Sequence, residues 1–341
     1  MGVTTAGRLV IPMNMSPHPP DPEAYRAAET DVIAAVLDGC RVLVIEGPDA
    51  AVFLQAQLSS DIASLAAGTA QFSALHSAKG RVIANFVLFR SSREAVPPRF
   101  YAILPKTQAA PLRQRLALFV LRAKVTLSVP EDVALIGIGG PGAAILATGD
   151  RASSSIAAPA VPWPDGRVTF IVDRSAVDAA IEECEKRGAR RAPESIFDWL
   201  GLRAGIALID AALSGELLPQ ALNWDVVGGV NFRKGCYPGQ EIIARTHYRG
   251  RAKERLFAFH SVAAPPPAAT RLFSSAFGAQ PCGVIVNAAF DAEGGALVLA
   301  ATQVDAAEQD VRLGAPDGPL LTRRPLPYAV PEARAQRDHI A

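Results

Sequence analysis

Cysteine is scarce in this chain: four in 341 residues, at positions 40, 184, 236 and 282. None belongs to a CxxC pair and none stands at ligand-like spacing from the five histidines, which argues against a zinc site and against a disulfide framework. No metal site is expected, and a reducing cytoplasm is the expected compartment. Charge of one sign is missing too, since 34 Lys and Arg stand against 33 Asp and Glu for a formal net charge of +1. No global field draws such a chain to RNA or to an anionic bilayer, so strong direct nucleic-acid binding is not expected. The first thirty residues hold no long apolar run, which predicts neither a signal peptide nor a membrane span. Gly2 does not signal myristoylation, because position 6 is Ala rather than Ser or Thr.

What is present is apolar content enough for a full core: 50% of the chain is hydrophobic, at a length that suits two or three domains. Residues 1–30 are expected to be a disordered tail, and 331–341 a second one. "RVLVIEG" (41–47) predicts a strand, and Gly47-Pro48-Asp49 then opens a helix with Leu54, Leu58, Ile62 and Leu65 on one face. Residues 71–90 predict two strands meeting at Ala78-Lys79-Gly80, and "RFYAILP" (99–105) another before a helix near 107–122. The pattern then echoes itself. "EGPDAAVFL" (46–54) returns as "GGPGAAILA" (139–147), and "RFYAILP" returns as "RVTFIVD" (167–173), each before a helix. Two related α+β lobes are expected within 31–250. Cys184 belongs to the apolar stripe of the last of those helices, with Val177 and Ile181. Beyond Gly250, short strand-like runs separated by "AAPPPAAT" and "DAEGG" predict a C-terminal β domain over 251–330, with Cys282 inside it.

Between these regions lies "RKGCYPGQEIIAR" (233–245). Pro238 and Gly239 suit the centre of a type II turn, and Gln240–Arg249 predicts a helix closed by Gly250. Glu241 and Arg245 stand one turn apart and can pair. Cys236 precedes the helix and follows Arg233 and Lys234, which favour the thiolate; Gly235 allows close approach or positive φ. A small cysteine buried in a tight turn is the plainer reading. A thiol-protease pairing with His247 lacks a third orienting group.

"KGCYPGQE" resembles the signature of the YgfZ family of folate-binding proteins, relatives of the glycine cleavage T-protein that include a mitochondrial iron-sulfur assembly factor. The likeness continues through "IIARTHYRG", upstream into 204–232, and into "GPDAAVFLQAQLSSDI" (47–62) and "SAKGRVIANF" (77–86). It implies an α+β, T-protein-like architecture: two related lobes and a C-terminal β-barrel around a central opening that holds tetrahydrofolate or a one-carbon derivative. It also implies a role in assembling or repairing iron-sulfur enzymes, tRNA-modifying ones included, with Cys236 as the essential group. Folate and iron-sulfur enzymes or assembly proteins are the expected partners of a monomer. Lys234, Gln240 and Glu241 match the rest of the motif and are expected to shape the opening.

The chain also departs from its relatives. Where aminomethyltransferases of the superfamily carry a working aspartate, it has Asn85, and an amide cannot act as a base. The T-protein's folate-gripping glutamate aligns with Arg203, and the aromatics near the folate align with Phe197 and Cys40. Trp224 is placed to line the folate pocket or the core, and His76 to face the opening or to be hydrogen-bonded in its hairpin. His247 is expected to be solvated. A folate-dependent one-carbon transferase and a non-catalytic folate-binding scaffold stand as alternatives to the accessory role.

Overall fold

A computed structural model describes residues 18–91, 97–148, 159–248 and 252–331. Helix α1 (Pro22–Thr30) comes first, in a region expected to be tail. Asp21 caps it, Pro22 stands at its first turn, and Tyr25, Ala27 and Ala28 are buried. The Asp-Pro start and the Tyr-Ala stripe suffice for an ordered helix once Tyr25 has the Trp199 ring to meet edge-on at 5.1 Å.

The chain then lays down β1 (Ile33–Val36), β2 (Cys40–Glu46), α2 (Ala50–Gln57), β3 (Ala70–His76), β4 (Val82–Arg90), β5 (Arg99–Pro105), α3 (Lys106–Val120) and β6 (Thr126–Ser128). Next come β7 (Val133–Gly139), α4 (Ala143–Thr148), β8 (Ala160–Pro162), β9 (Val168–Asp173), α5 (Val177–Lys186), β10 (Arg190–Arg191) and α6 (Glu194–Arg203). The first lobe is an antiparallel sheet of order β3-β4-β5-β2-β6, and the second a sheet of order β10-β1-β7-β9-β8 whose β1–β10 pair is parallel. The echo in the sequence is an echo in space. β2 leads into α2 and pairs with β5, which leads into α3; β7 leads into α4 and pairs with β9, which precedes α5.

Helix α2 is shorter than its apolar spacing predicts. It stops at Gln57, Leu58 is extended, and Ser59 bonds the Ala74 carbonyl through its backbone N–H at 3.0 Å. Ser59, Ser60 and Asp61 offer the backbone alternatives to helix, while Leu58, Ile62 and Leu65 still reach the core from irregular chain.

Helix α7 (Gln240–Tyr248) follows the motif; Arg249 and Gly250 lie outside the described residues. The C-terminal strands are β11 (Glu254–Ser261), β12 (Arg271–Phe273), β13 (Pro281–Phe290), β14 (Ala296–Gln303), β15 (Arg312–Leu313) and β16 (Thr322–Arg324). They form one antiparallel sheet, β15-β12-β13-β14-β11-β16, a half-barrel rather than a closed one. Cys184 and Cys282 are both buried.

The helices α2 and α3 cover one face of the first sheet, with Phe53, Leu54, Leu112 and Leu116 in its outer core. The second lobe repeats this with Ile181 and Cys184 of α5. The other faces of all three sheets meet in a single central core that includes Val42, Val87, Phe197 and Val286. A cavity opens in this core.

Candidate functional site

In that central core a cavity of about 180 Å³ is lined by Cys40 and Pro105 of the first lobe, Trp163 and Arg167 of the second, and Asn287 of the C-terminal sheet. Helix α6 supplies Glu194, Phe197, Asp198 and Gly201. Their i, i+3, i+4, i+7 spacing makes them one stripe of the helix.

One wall is flat. The Arg167 guanidinium lies 4.3 Å from the Trp163 ring centre and 4.7 Å from that of Phe197. Asp165 grips it through Nε at 2.9 Å and Nη2 at 2.7 Å, and Nη1 donates to the Phe197 carbonyl at 3.2 Å. Gly201 permits this closeness: a Cβ there would lie 2.6 Å from Arg167 Nη1.

The opposing polar groups are acceptors. Glu194 accepts from the Gly39 N–H at 2.8 Å and the Asp38 N–H at 3.0 Å. Burial, then the charge of Asp198, push its carboxyl up to about 7 against those two bonds. Asp198 is open to the cavity yet surrounded by protein, and burial raises it to about 6 against the pull of Arg167. Burial, Asp198 and Glu194 push the Cys40 thiol far above its usual range, so Cys40 is a neutral wall rather than a nucleophile. Asn287 sits at a bulge of β13. Its Nδ2 donates to the Leu208 carbonyl at 3.0 Å, while its buried Oδ1 has no partner among the described residues. Two carboxyls beside an arginine packed on aromatic rings suit a heterocycle edged with N–H donors.

The other predicted residues are distributed differently. Phe197 and Cys40 line the cavity. Arg203 does not: it lies on the other side of α6, pairs with Glu29, and its guanidinium stands 4.7 Å from the Trp199 ring centre. The charge of Arg203 therefore lies outside the cavity, whose carboxyls are Asp198 and Glu194. Asn85 is buried with both ends of its amide used; Nδ2 donates to the Ala207 carbonyl at 2.7 Å and Oδ1 accepts from the Ile209 N–H at 2.8 Å. Trp224 is fully buried against Phe72, ring centres 5.1 Å apart, and does not line the cavity. Asp198, Glu194, Arg167 and Asn287 escaped the sequence reading. The stripe through Phe197 was signal enough for the first two.

Cys236 is exposed on a short loop fixed at both sides. Asn231 Oδ1 accepts the N–H groups of Arg233 and Lys234 at 2.8 and 3.1 Å. The Lys234 ammonium is turned inward and donates to the Gln55 carbonyl at 2.6 Å and the Leu58 carbonyl at 2.5 Å, at the C-terminal end of α2. Burial lowers it to about 8, opposed by Asp61. Lys234 is thus an anchor of the loop and its charge is spent on α2. Tyr237 is buried on the other side, 6.1 Å from the ring of His76. The Tyr237 carbonyl accepts from the Gln240 N–H at 3.2 Å with Gly239 at φ 79°, the predicted type II turn. Gly235 has no positive φ and only open space around it. Gln240 Nε2 lies 3.5 Å from the Lys234 carbonyl, and the pairing of Glu241 with Arg245 is not formed. His76 is buried and held neutral, its pKa pushed down to about 3, with neither ring nitrogen partnered among the described residues. The hairpin hydrogen bond expected for it is not made. His247 is partly solvated, 30% exposed, and stacks on Phe232 at 3.8 Å between ring centres.

Among the described residues no helix is long and apolar enough to cross a membrane, and no three His, Cys, Asp or Glu are grouped to hold a metal ion. No family model matches the chain. It is 28% identical over 337 residues to "tRNA-modifying protein YgfZ" of Klebsiella pneumoniae (strain 342), covering 94% of this chain and 100% of that one. The protein of the same name from Escherichia coli O127:H6 (strain E2348/69 / EPEC) is 27% identical over 335 residues, with the same coverage. Among solved structures, the glycine cleavage system aminomethyltransferase T from Bartonella henselae superposes with a TM-score of 0.70 at 18% identity, covering 90% of this chain and 89% of that one. Along nearly its whole length the chain is YgfZ-like in sequence and T-protein-like in fold.

Proposed function

We propose that this chain is a tetrahydrofolate-binding accessory protein for the assembly or repair of iron-sulfur enzymes, tRNA-modifying ones among them, with Cys236 as its working thiol. The observation that carries the reading is the central cavity, lined by the ionisable acceptors Glu194 and Asp198 together with Arg167, Trp163 and Phe197. The pyrimidinone ring of a reduced pterin is flat and edged with N–H donors, and this acceptor set suits it. The cavity is smaller than the roughly 300–1,000 Å³ typical of drug-sized ligands, so it holds the ring while the rest of the molecule leads outward. Tetrahydrofolate, when bound, would supply a one-carbon carrier; Asp198 and Glu194 would accept its N–H donors, and Arg167 and Phe197 would close the cavity around it.

The name of the curated relatives supports the link to tRNA modification. One exposed cysteine cannot complete a four-ligand cluster site, so Cys236 would act on a cluster or a thiol shared with the client. The transferase alternative is weakened by Asn85, whose amide is consumed by the 207–209 backbone. The test is anaerobic calorimetric titration of wild type, Asp198→Asn and Cys236→Ala with tetrahydrofolate, alongside rescue of iron-sulfur enzyme activity in a deletion strain. Binding lost in Asp198→Asn, and rescue lost but binding kept in Cys236→Ala, are expected. Absence of binding in the wild type sinks the folate reading, and rescue by Cys236→Ala would leave a scaffold.

A further inference from the structure

The last turn of α3 and the chain after it stand apart from the rest of the surface. Helix α3 buries Ala109, Leu112 and Leu116 against the first sheet. On its open side Leu118 is 65% exposed and Phe119 39%, and Leu121, just past its end, is 88% exposed. Leu121 has φ 43° and ψ −102°, a backbone that favours glycine, yet a large apolar side chain is held out there into water.

The sequence around these three carries charge of one sign. From 106 to 130 it has no Asp or Glu, and the Asp49 carboxylate meets the segment at the Lys124 backbone N–H, which donates to it at 2.7 Å. Arg113, Arg115, Arg122 and Lys124 form no ion pair among the described residues, whereas most ion pairs elsewhere on the molecule engage an arginine. Exposed leucines and a phenylalanine in a stretch of unpaired cations match the composition of an interface core, in which Phe and Arg are enriched.

We infer that residues 113–124 are a docking surface for an acidic protein face with an apolar centre, the surface through which a client enzyme engages this chain. This rests on the accessory reading above. A second copy of the chain is excluded as the occupant, since it would set cation against cation. Nucleic acid would use the cations and Phe119, but a phosphodiester backbone has no apolar counterpart for Leu118 and Leu121. A bilayer would take the leucines and the cations, but not what lies next to them. Strand β6, two residues beyond Lys124, is an edge of the first sheet and pairs only with β2. Its free backbone groups are usable by polypeptide alone.

The experiment uses the full chain and a purified tRNA-thiolating iron-sulfur enzyme from the same cell as the probe, with binding read by interferometry at two salt concentrations. Wild type is compared with Leu118→Ser/Leu121→Ser and with Arg115→Glu/Arg122→Glu. All four positions are exposed, so the variants are expected to fold, and thermal unfolding checks this. Each double variant is expected to weaken binding at least tenfold, and the charge variant also to lose most of the salt dependence. Equal binding by all three proteins overturns the inference. So does a wild type that ignores the enzyme, or that binds bulk tRNA or phosphatidylglycerol–phosphatidylcholine vesicles in its place. Tetrahydrofolate titration of the same three proteins tests the cavity separately: docking lost with folate binding kept in the variants locates the effect at this surface, and no folate binding in the wild type is a failure of the cavity reading alone.

Discussion

Replacing Asn85 by aspartate would put back the residue type that aminomethyltransferases of this fold use, and the structure says what would follow. Asn85 is 1% exposed, and its Nδ2 donates to the Ala207 carbonyl at 2.7 Å. An ionised carboxyl there would set an oxygen against that carbonyl with no water to relieve it. A protonated one would keep both bonds, donating its O–H to Ala207 and accepting from Ile209 with its other oxygen. The folded state therefore holds the proton, and the folded pKa of the introduced group is raised above the unfolded value of about 3.9. Stability is then intact below about pH 4 and is lost as pH rises toward the folded pKa, at about 1.4 kcal/mol per unit. At pH 7, about three units above the unfolded pKa, the cost reaches about 4 kcal/mol, in the range found for a buried charge left unpaired. Urea unfolding of wild type and Asn85→Asp side by side at pH 5, 6 and 7 measures this. A gap that widens by about 1.4 kcal/mol per unit is expected. A variant as stable as wild type at pH 7, or one that gains aminomethyl transfer, would refute the assignment of Asn85 as a structural pin.

Lys234→Met keeps the aliphatic stem but leaves the Gln55 and Leu58 carbonyls without their ammonium; a loss of about 3 kcal/mol in urea unfolding is expected, together with faster labelling of Cys236 by a thiol reagent as its loop loosens. Gly239→Ala places a Cβ 2.4 Å from the Ser77 carbonyl at φ 79°, and unfolding should show a loss above about 2 kcal/mol. Cys236→Ser changes an exposed side chain, so its melting midpoint should match wild type within about 0.5 kcal/mol while rescue of the deletion strain fails. Asp198, at about 6, and Glu194, at about 7, accept N–H donors best when ionised, so tetrahydrofolate affinity should rise about tenfold or more from pH 5 to pH 8. Calorimetry on Asp198→Asn should show a flatter profile, and a wild-type affinity that falls over that range would count against the pose.

Much of the fold was legible because it is written locally. The 46–54 and 139–147 echo, the Pro238-Gly239 turn and the change of texture after Gly250 each depend on neighbours in the sequence. The miss at α1 had a local signal as well, the Asp21-Pro22 cap, but its ordering depends on Trp199, more than 170 residues away. The loop at Cys236 shows the same limit more sharply. Arg233-Lys234 beside a cysteine reads as thiolate support, yet Lys234 reaches back 179 residues to the Gln55 carbonyl. The site was harder for a different reason. Alignment finds the helix, while helical phase decides which side faces the cavity, and on α6 the side that holds Phe197 holds Asp198 and Glu194, with Trp199 turned to Tyr25 and Asp291 and Arg203 to Glu29.

These changes support one another through the 206–209 linker. Ala207 and Ile209 present their backbone groups to Asn85 on β4, and Leu208 between them presents its carbonyl to Asn287 Nδ2 on β13. Alternate residues of extended chain face opposite ways, so two amides stitch the first lobe to the C-terminal sheet through a single strand of linker. The same geometry sets Ile206 and Leu208 into the cavity wall and leaves Asn287 Oδ1 as the spare acceptor. An aspartate at position 85 would keep the stitch only by holding a proton at neutral pH, at the cost in stability that its raised pKa brings. The position that would carry a base in a transferase therefore braces the chain that lines the cavity here, and the carboxyls proposed to hold the ligand, Glu194 and Asp198, come from α6 instead.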